Sequence, residues 1–266
     1  MITIKRSKEL CRKWGFASLV TLPTANAKLA KSTGYYNAGI TLAQGDKSGH
    51  EVCPGRGNCF TFEGFDTCLG NFGQAEGLSS IDKVRIARTK MMFEDRANFD
   101  LVLECQLEQV DRKARRLGLP VAFRPNILSD HPWHLTHPWI FERYSHWTFY
   151  GYTKVRAHFR QFLAGKLPAN YHLTYSYNER VGQDFYREVL GLGGNVATVF
   201  LVGSIDHLPQ TFMGADVIDG VSSDLRFLDK PGTVVGLIPK TPKRNADKLA
   251  YLDRMKRAGF MVSLAS

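Results

Sequence analysis

A chain of 266 residues, 44% of them hydrophobic, is long enough to bury a large core, and its composition excludes a disordered protein. Lys and Arg number 35 against 25 Asp and Glu, a formal net charge of +10; that surplus suits an anionic partner, either nucleic acid or a phosphorylated small molecule, although a basic solvated surface gives the same balance. No apolar run is long enough to span a bilayer, and the start MITIKRSKELCRKW has no signal-peptide core, so a cytoplasmic protein with reduced thiols and no membrane partner is expected.

In chain order, a short basic helix opens the sequence and a strand is predicted over Phe16–Leu22, ending at Pro23. Ala38–Leu42 reads as a second strand, and residues 45–77 as one long irregular excursion rich in cysteine and glycine. Ser79 starts a helix with Asp82 three residues on, a capping-box arrangement. A longer helix follows over residues 95–117, with Phe99, Leu103, Leu107, Val110, Ala114 and Leu117 at helical spacing and Gly118 as its stop. Cys105 falls inside this helix and reads as a small buried side chain, while Cys11 has no evident partner.

From Pro120 onward strands alternate with helices. Strands are predicted at Pro120–Phe123, Trp147–Tyr152, Tyr171–Tyr175, Val196–Val202, Ala215–Ile218, Val234–Ile238 and Phe260–Leu264. Helices are predicted at Val155–Leu163, Asp184–Leu190 and Ala246–Ala258. This alternation indicates a parallel α/β sheet in a single domain over residues 1–266. Eight or nine strands suit a (β/α) barrel, whole, partial or irregular, carrying the long metal-binding loop; the alternative is an open doubly wound parallel sheet.

The excursion from His50 to Gly77 holds three of the five cysteines: Cys53, Cys59 and Cys68. In a reducing compartment, thiolates gathered in a loop point to metal binding or catalysis. Three thiolates leave one position of a tetrahedral site for His50, another ligand, water or substrate. A metal would also account for so long a loop inside a compact domain.

In parallel α/β folds chemistry collects at the carboxyl ends of the strands, where the connecting loops converge. Here those ends carry Arg124, Asn126, Ser129 and Asp130, then Lys154, then Asn178 and Glu179, then Asp219 and Asp224. Such a set would bind and orient an anionic or heteroaromatic ligand. His131, His134 and His137 fit a helix poorly as a metal set; Ser129 or Asp130 as an N-cap, with Trp133 and the histidines packing locally, is the simpler reading. GLGGN at 191–195 follows a helix and precedes a strand, the reverse of a dinucleotide fingerprint, so it reads as a helix stop and turn. No Walker motif, GxSxG elbow or HExxH sequence is present.

The blocks CPGRGNC with a following CLG, then ARTK, RPNILSD, FYGYTK, GKLPANYHLTYSYNE and VIDGVSSDLRFLDKPGTVVGL resemble the phage and plasmid gene product 88 family over roughly residues 45–240. The resemblance implies a cysteine-rich loop and radical-SAM-like barrel features. It carries Cys53, Cys59, Cys68, Arg88, Lys90, Arg124, Asn126, Ser129, Asp130, Lys154, Asn178, Glu179, Asp219 and Asp224 over as family positions.

Two functional expectations follow. The first is an iron–sulfur enzyme in which Cys53, Cys59 and Cys68 hold three irons of a 4Fe-4S cluster and leave the fourth open. Arg124, Asn126, Ser129, Asp130, Asn178 and Asp224 would then bind a small-molecule or nucleotide-like ligand, with Lys154, Glu179 and Asp219 as acid, base or anion clamp. The logic is that of radical-SAM enzymes, but C-x5-C-x8-C is not their close spacing, so S-adenosylmethionine is a secondary expectation. The second is a basic nucleic-acid-binding protein with a structural zinc held by His50 and the three cysteines.

Overall fold

The computed structural model describes residues 2–30, 33–56, 68, 79–178, 181–239, 248–257 and 261–263. The chain divides into two compact units. One comprises Met1–Pro54, Leu78–Gly151 and Pro168–Tyr171; the other comprises Gly55–Gly77, Tyr152–Leu167 and His172–Ser266.

Unit one opens with helix α1 (Ile4–Lys13), capped where the Thr3 hydroxyl accepts the Arg6 N–H at 3.1 Å. Strand β1 (Val20–Thr21) is shorter than the apolar run predicts. The side-chain oxygen of Gln106 takes the N–H groups of Leu19 and Val20, at 3.0 and 2.9 Å, and so satisfies backbone upstream of Thr21 without a ladder. After the four-residue α2 (Ala27–Ala30) come β2 (Tyr36–Ile40), α3 (Ser79–Glu94), α4 (Arg96–Leu117) and β3 (Val121–Arg124). Helix α4 buries Phe99, Leu103, Leu107, Val110 and Ala114 of the stripe read from the sequence, but Leu117, in its last turn, is 48% exposed. It stops at Gly118, whose φ of 66° suits the left-handed C-cap. Cys105 is buried on the same helix, and Cys11 is buried with the Gln106 amide 3.5 Å from its sulfur. Burial pushes the Cys11 thiol up, and Gln106 opposes that shift.

The segment between β3 and β4 (Thr148–Thr153) folds into two short helices, α5 (Trp133–Thr136) and α6 (Trp139–Arg143). The N-cap of α5 is Pro132, with no side-chain cap, so neither Ser129 nor Asp130 plays that part. Around β3 and the start of β4 an aromatic core forms from Phe123, Phe141, Tyr144, Trp147 and Phe149; Tyr144 stacks on Trp147 at 4.2 Å. β1 pairs antiparallel with β2, while β2–β3 and β3–β4 pair parallel.

Unit two contains α7 (Arg156–Leu163), β5 (Tyr171–Ser176), α8 (Gln183–Gly191), β6 (Val196–Val199), β7 (Thr211–Phe212), β8 (Ala215–Asp219), β9 (Val234–Leu237) and α9 (Lys248–Arg257). Phe159, Tyr175, Phe185 and Tyr186 pack together, with Tyr175 and Phe185 edge to face at 4.9 Å. β5–β6, β6–β9 and β8–β9 are parallel, and β7–β8 is antiparallel. A parallel bridge joins Phe200 to Val262, within the predicted final strand; its residues 260 and 264 lie outside the described residues. GLGGN is a helix stop, as read. Gly193 has a φ of 84°, and a Cβ on Gly194 would come within 2.9 Å of the Phe159 ring.

The protein is therefore mixed α/β, with nine mostly parallel strands among the described residues. Their order runs β1-β2-β3-β4 in unit one, with β4 running on past Gly151 into unit two, and β5-β6-β9-β8-β7 in unit two, apart from Tyr171 at the start of β5. Among the described residues β1 and β7 each have a single neighbour, so the sheet is open there and the closed (β/α) barrel expected from the sequence is not formed by them. This agrees with the alternative, an open sheet. The strand count did not reveal closure, because alternation predicts strands and leaves their order open.

Candidate functional site

In unit one, the chain leaving β2 passes under α3. Ala43 donates its N–H to the Thr89 hydroxyl at 2.9 Å, and the half-buried Arg88 donates to the carbonyls of Ser18 and Thr41 at 2.8 and 3.3 Å. Burial lowers the Arg88 guanidinium to about 10, with the Cys11 thiol opposing that shift. The next residues turn back. Val52 donates to the Gly45 carbonyl at 3.1 Å, and Gly45 donates to the Cys53 sulfur at 3.3 Å. Asp130, beyond the end of β3, donates its N–H to the Val52 carbonyl at 3.1 Å. Cys53, which is half-buried, is thus held beside the carboxyl ends of β2 and β3.

An N–H aimed at sulfur favours thiolate, the form that ligates metal. The Gly45 bond at Cys53 is of the kind a thiolate ligand accepts. Cys68 is half-buried, and Cys59 lies outside the described residues. Among the described residues, no group of three His, Cys, Asp or Glu side chains is gathered as a metal site. His50 stacks on Phe93 at 4.6 Å, and its Nε2 meets Glu94 at 3.1 Å. That nitrogen is committed to a carboxylate.

Arg124, Asn126, Ser129 and Asp130 come together in the turn after β3. Asn126 organises it: its Nδ2 donates to the His131 carbonyl at 2.9 Å, and its Oδ1 accepts from the Ser129 hydroxyl, the His131 N–H and the Trp133 indole at 2.8, 3.1 and 3.0 Å. Arg124 donates from Nε to the Asn126 carbonyl at 3.1 Å. These bonds are internal, so Asn126 and Ser129 shape the turn. Tyr171 is buried in the same unit; burial, then the charge of Asp130, pushes its phenol up. His131 and His137 pack on Trp133 with ring centroids 5.3 and 4.6 Å away, the local packing read from the sequence.

In unit two, Lys154 donates from Nζ to the Tyr177 carbonyl at 3.3 Å, and the Tyr175 hydroxyl donates to the Lys154 carbonyl at 3.1 Å. A Cβ on Gly55 would come 3.1 Å from Lys154, so the chain at residue 55 packs closely on the turn after β4. Tyr186 fixes Asn178: its hydroxyl accepts the Asn178 N–H and donates to the Asn178 carbonyl, both at 2.7 Å. Asp219 accepts the N–H groups of Val221 and Ser222 at 2.7 and 3.2 Å. Burial raises its carboxyl, but those hydrogen bonds outweigh it and leave the pKa lowered. Asp224 is buried, and Glu179 lies outside the described residues. Sequence reading missed the neighbouring Arg226–Asp229 pair, 3.3 Å apart, because nothing in the local pattern marks an Arg whose side chain is 3% exposed. Burial raises the Asp229 carboxyl, and Arg226 opposes it.

Fold and site together define an α/β protein with an open, mostly parallel sheet and a cysteine held at the carboxyl ends of two neighbouring parallel strands. A family model described as gene product 88 matches residues 18–254, and the chain belongs to that family. No curated protein and no solved structure matches it. The family assignment carries no activity with it, and likeness to radical-SAM barrels gains no support from an open sheet.

Proposed function

We propose that this protein is an iron–sulfur protein whose loop cysteines Cys53, Cys59 and Cys68 hold a cluster with one open iron, acting on an anionic or nucleotide-like ligand. The observation that carries the reading is the Gly45 N–H donated to the Cys53 sulfur, in a segment pinned to the end of β3 through Asp130 and Val52. Thiolate ligands of clusters commonly receive such bonds, which tune the metal. When bound, a cluster with an open iron supplies Lewis-acid or one-electron chemistry. Lys154 is the strand-end cation suited to an anionic ligand, and Glu179 and Asp219 remain its candidate acid and base. S-adenosylmethionine is left out of the proposal, for want of a barrel and of the close cysteine spacing.

The zinc reading takes His50 as fourth ligand through Nδ1, with Glu94 engaging its Nε2 as a carboxylate partner of a metal-bound imidazole would. The net charge of +10 is what still favours a nucleic-acid partner. Protein purified without oxygen, analysed for iron, sulfide and zinc and by visible absorption beside Cys53→Ala, separates the two. Iron with sulfide and a broad visible band, lost in the variant, is the expected result. A colourless protein with stoichiometric zinc, or one with no metal, overturns the cluster.

A further inference from the structure

Part of the chain's positive surplus is gathered on one pair of helices in unit one. α1 and α4 run antiparallel. The indole of Trp14, just past α1, reaches Asp95 at the start of α4 at 3.4 Å, while Gln106, midway along α4, meets Ser7 and Cys11 at 3.4 and 3.5 Å. α1 turns Ser7, Leu10 and Cys11 inward, and its exposed face carries Lys5, Lys8, Arg12 and Lys13. Glu9, the carboxylate of this helix, is taken up by Arg6 at 3.5 Å.

α4 is divided lengthwise by charge. Asp100, Glu104, Glu108 and Asp111 follow one another at helical spacing and share one flank. That flank is spent on cations from outside α1: Arg143 pairs with Glu104 and Glu108, and His146 bonds Asp111 at 2.8 Å. Lys113 lies two turns beyond Gln106 on the stripe that meets α1, and Arg116 follows it on the same face; both are exposed. Among the described residues, neither these two nor the four α1 cations pair with a carboxylate.

Helix stability does not account for this arrangement. Arg12 and Lys13 sit in the last turn of α1, where the helix dipole favours cations. Lys5 and Lys8 sit in its first two turns, where the dipole disfavours them, and the first turn holds no acid. Antiparallel packing then brings that cationic start toward the end of α4 that bears Lys113 and Arg116. Like charges so placed repel, and an anion lying across both helices relieves the repulsion.

We propose that the exposed face of α1 and the end of α4 form a docking surface for duplex DNA, gripped through its phosphates without regard to sequence. α1 is about 15 Å long at 1.5 Å per residue, so it can follow about four phosphates of one strand. A bilayer fits less well, because Leu10 and Cys11 on the apolar side of α1 are buried within the protein and cannot enter lipid. A single strand fits less well too. No aromatic ring is interleaved with the cations, and Trp14 is half-buried with its indole on Asp95. The surface does not depend on what the cysteines hold.

The test measures binding of the full chain to a fluorescent mixed-sequence duplex across a salt series, beside one unpaired strand and phosphatidylserine vesicles. Lys5→Gln, Lys8→Gln and Arg12→Gln are combined in one variant; Gln is about as good a helix former as Lys or Arg, so α1 stays folded. Lys83→Gln, Lys166→Gln and Lys256→Gln, at exposed lysines elsewhere, form the equal-charge control. The wild type should bind the duplex with a slope of about −4 in log affinity against log salt. The α1 variant should bind severalfold more weakly, with that slope shallower by about three, and the control should match the wild type. An α1 variant that binds like wild type, an equal loss in the control, or no duplex binding at about 50 mM salt overturns the proposal. Tighter binding to the single strand or to the vesicles overturns it as well.

Discussion

The Gly45 N–H points at the Cys53 sulfur across 3.3 Å, and Gly45 reaches that geometry with a φ of 54°. A glycine tolerates this left-handed backbone at no steric cost, whereas a Cβ there costs about 1 kcal/mol. Gly45→Ala should therefore lower stability by about that amount while keeping the N–H donor. Cys53→Ser should remove the sulfur with little effect on folding. Measured side by side on protein prepared without oxygen, the alanine variant should retain its metal and the serine variant should lose it. Equal metal content in both would detach Cys53 from metal binding.

Asn126 is the most heavily engaged side chain at the end of β3. Asn126→Ala strands three donors, from Ser129, His131 and Trp133, and one acceptor, the His131 carbonyl, in a buried turn. Each buried group left unsatisfied costs about 1–3 kcal/mol, so a loss of about 3 kcal/mol or more is expected from the set. Asn126→Asp keeps an acceptor oxygen and should lose less. Urea unfolding of both variants checks the order; a loss below about 1 kcal/mol for alanine would mean the turn is held by something else.

A pH dependence follows from Asp111, whose side chain is 8% exposed. Burial works to raise its carboxyl, but hydrogen bonds from His146 and Trp147, at 2.8 and 2.9 Å, and the charge of Arg115 outweigh burial and leave the pKa lowered. A carboxylate with a lowered folded pKa contributes stability above its unfolded value and loses it as pH falls through the folded one. Asp111→Asn should then be less stable than wild type at neutral pH, and the gap between their melting temperatures should close as pH falls below the ordinary carboxylate range and through the lowered folded pKa. A constant gap across that range would show that Asp111 acts through packing rather than charge.

Much of the local structure was legible because it is written in short-range pattern. The spacing of Phe99, Leu103, Leu107, Val110 and Ala114 forces one face of α4 inward, and Gly118 ends it. Sheet order was not legible, since β9 lies between β6 and β8 only through pairings many residues apart. Strand-end polarity pointed to the turn at 124–130, but residue type alone does not reveal that Asn126 spends its amide on Ser129, His131 and Trp133. The approach of His137 Nε2 to within 3.3 Å of Asp100 Oδ1 escaped for a different reason. It depends on α4 passing beside a segment bent at Pro132 and Pro138, a contact between residues 37 apart that no helical spacing of histidines describes.

Gly39 gives the sharpest test of how β2 sits on β3. It pairs with Arg124, and a Cβ there would overlap the Arg124 carbonyl and come 2.8 Å from the Ile127 side chain. Backbone cannot yield as a flexible side chain can, so Gly39→Ala must displace either β2 or the Arg124–Ile127 turn. Overpacking of this kind costs about 1–3 kcal/mol. Gly151 on β4 supplies the control, because the one neighbour a Cβ would meet within 4 Å is the Tyr171 hydroxyl at 4.0 Å. Gly151→Ala should fall within about 0.5 kcal/mol of wild type, as an unobstructed substitution does. The Gly39 variant should also loosen the Asn126 turn, which would appear as faster amide exchange at His131 and a changed environment of the Trp133 indole. If both variants unfold at the wild-type urea concentration, the close approach of β2 to the turn after β3 is wrong, and with it the seat described for Cys53.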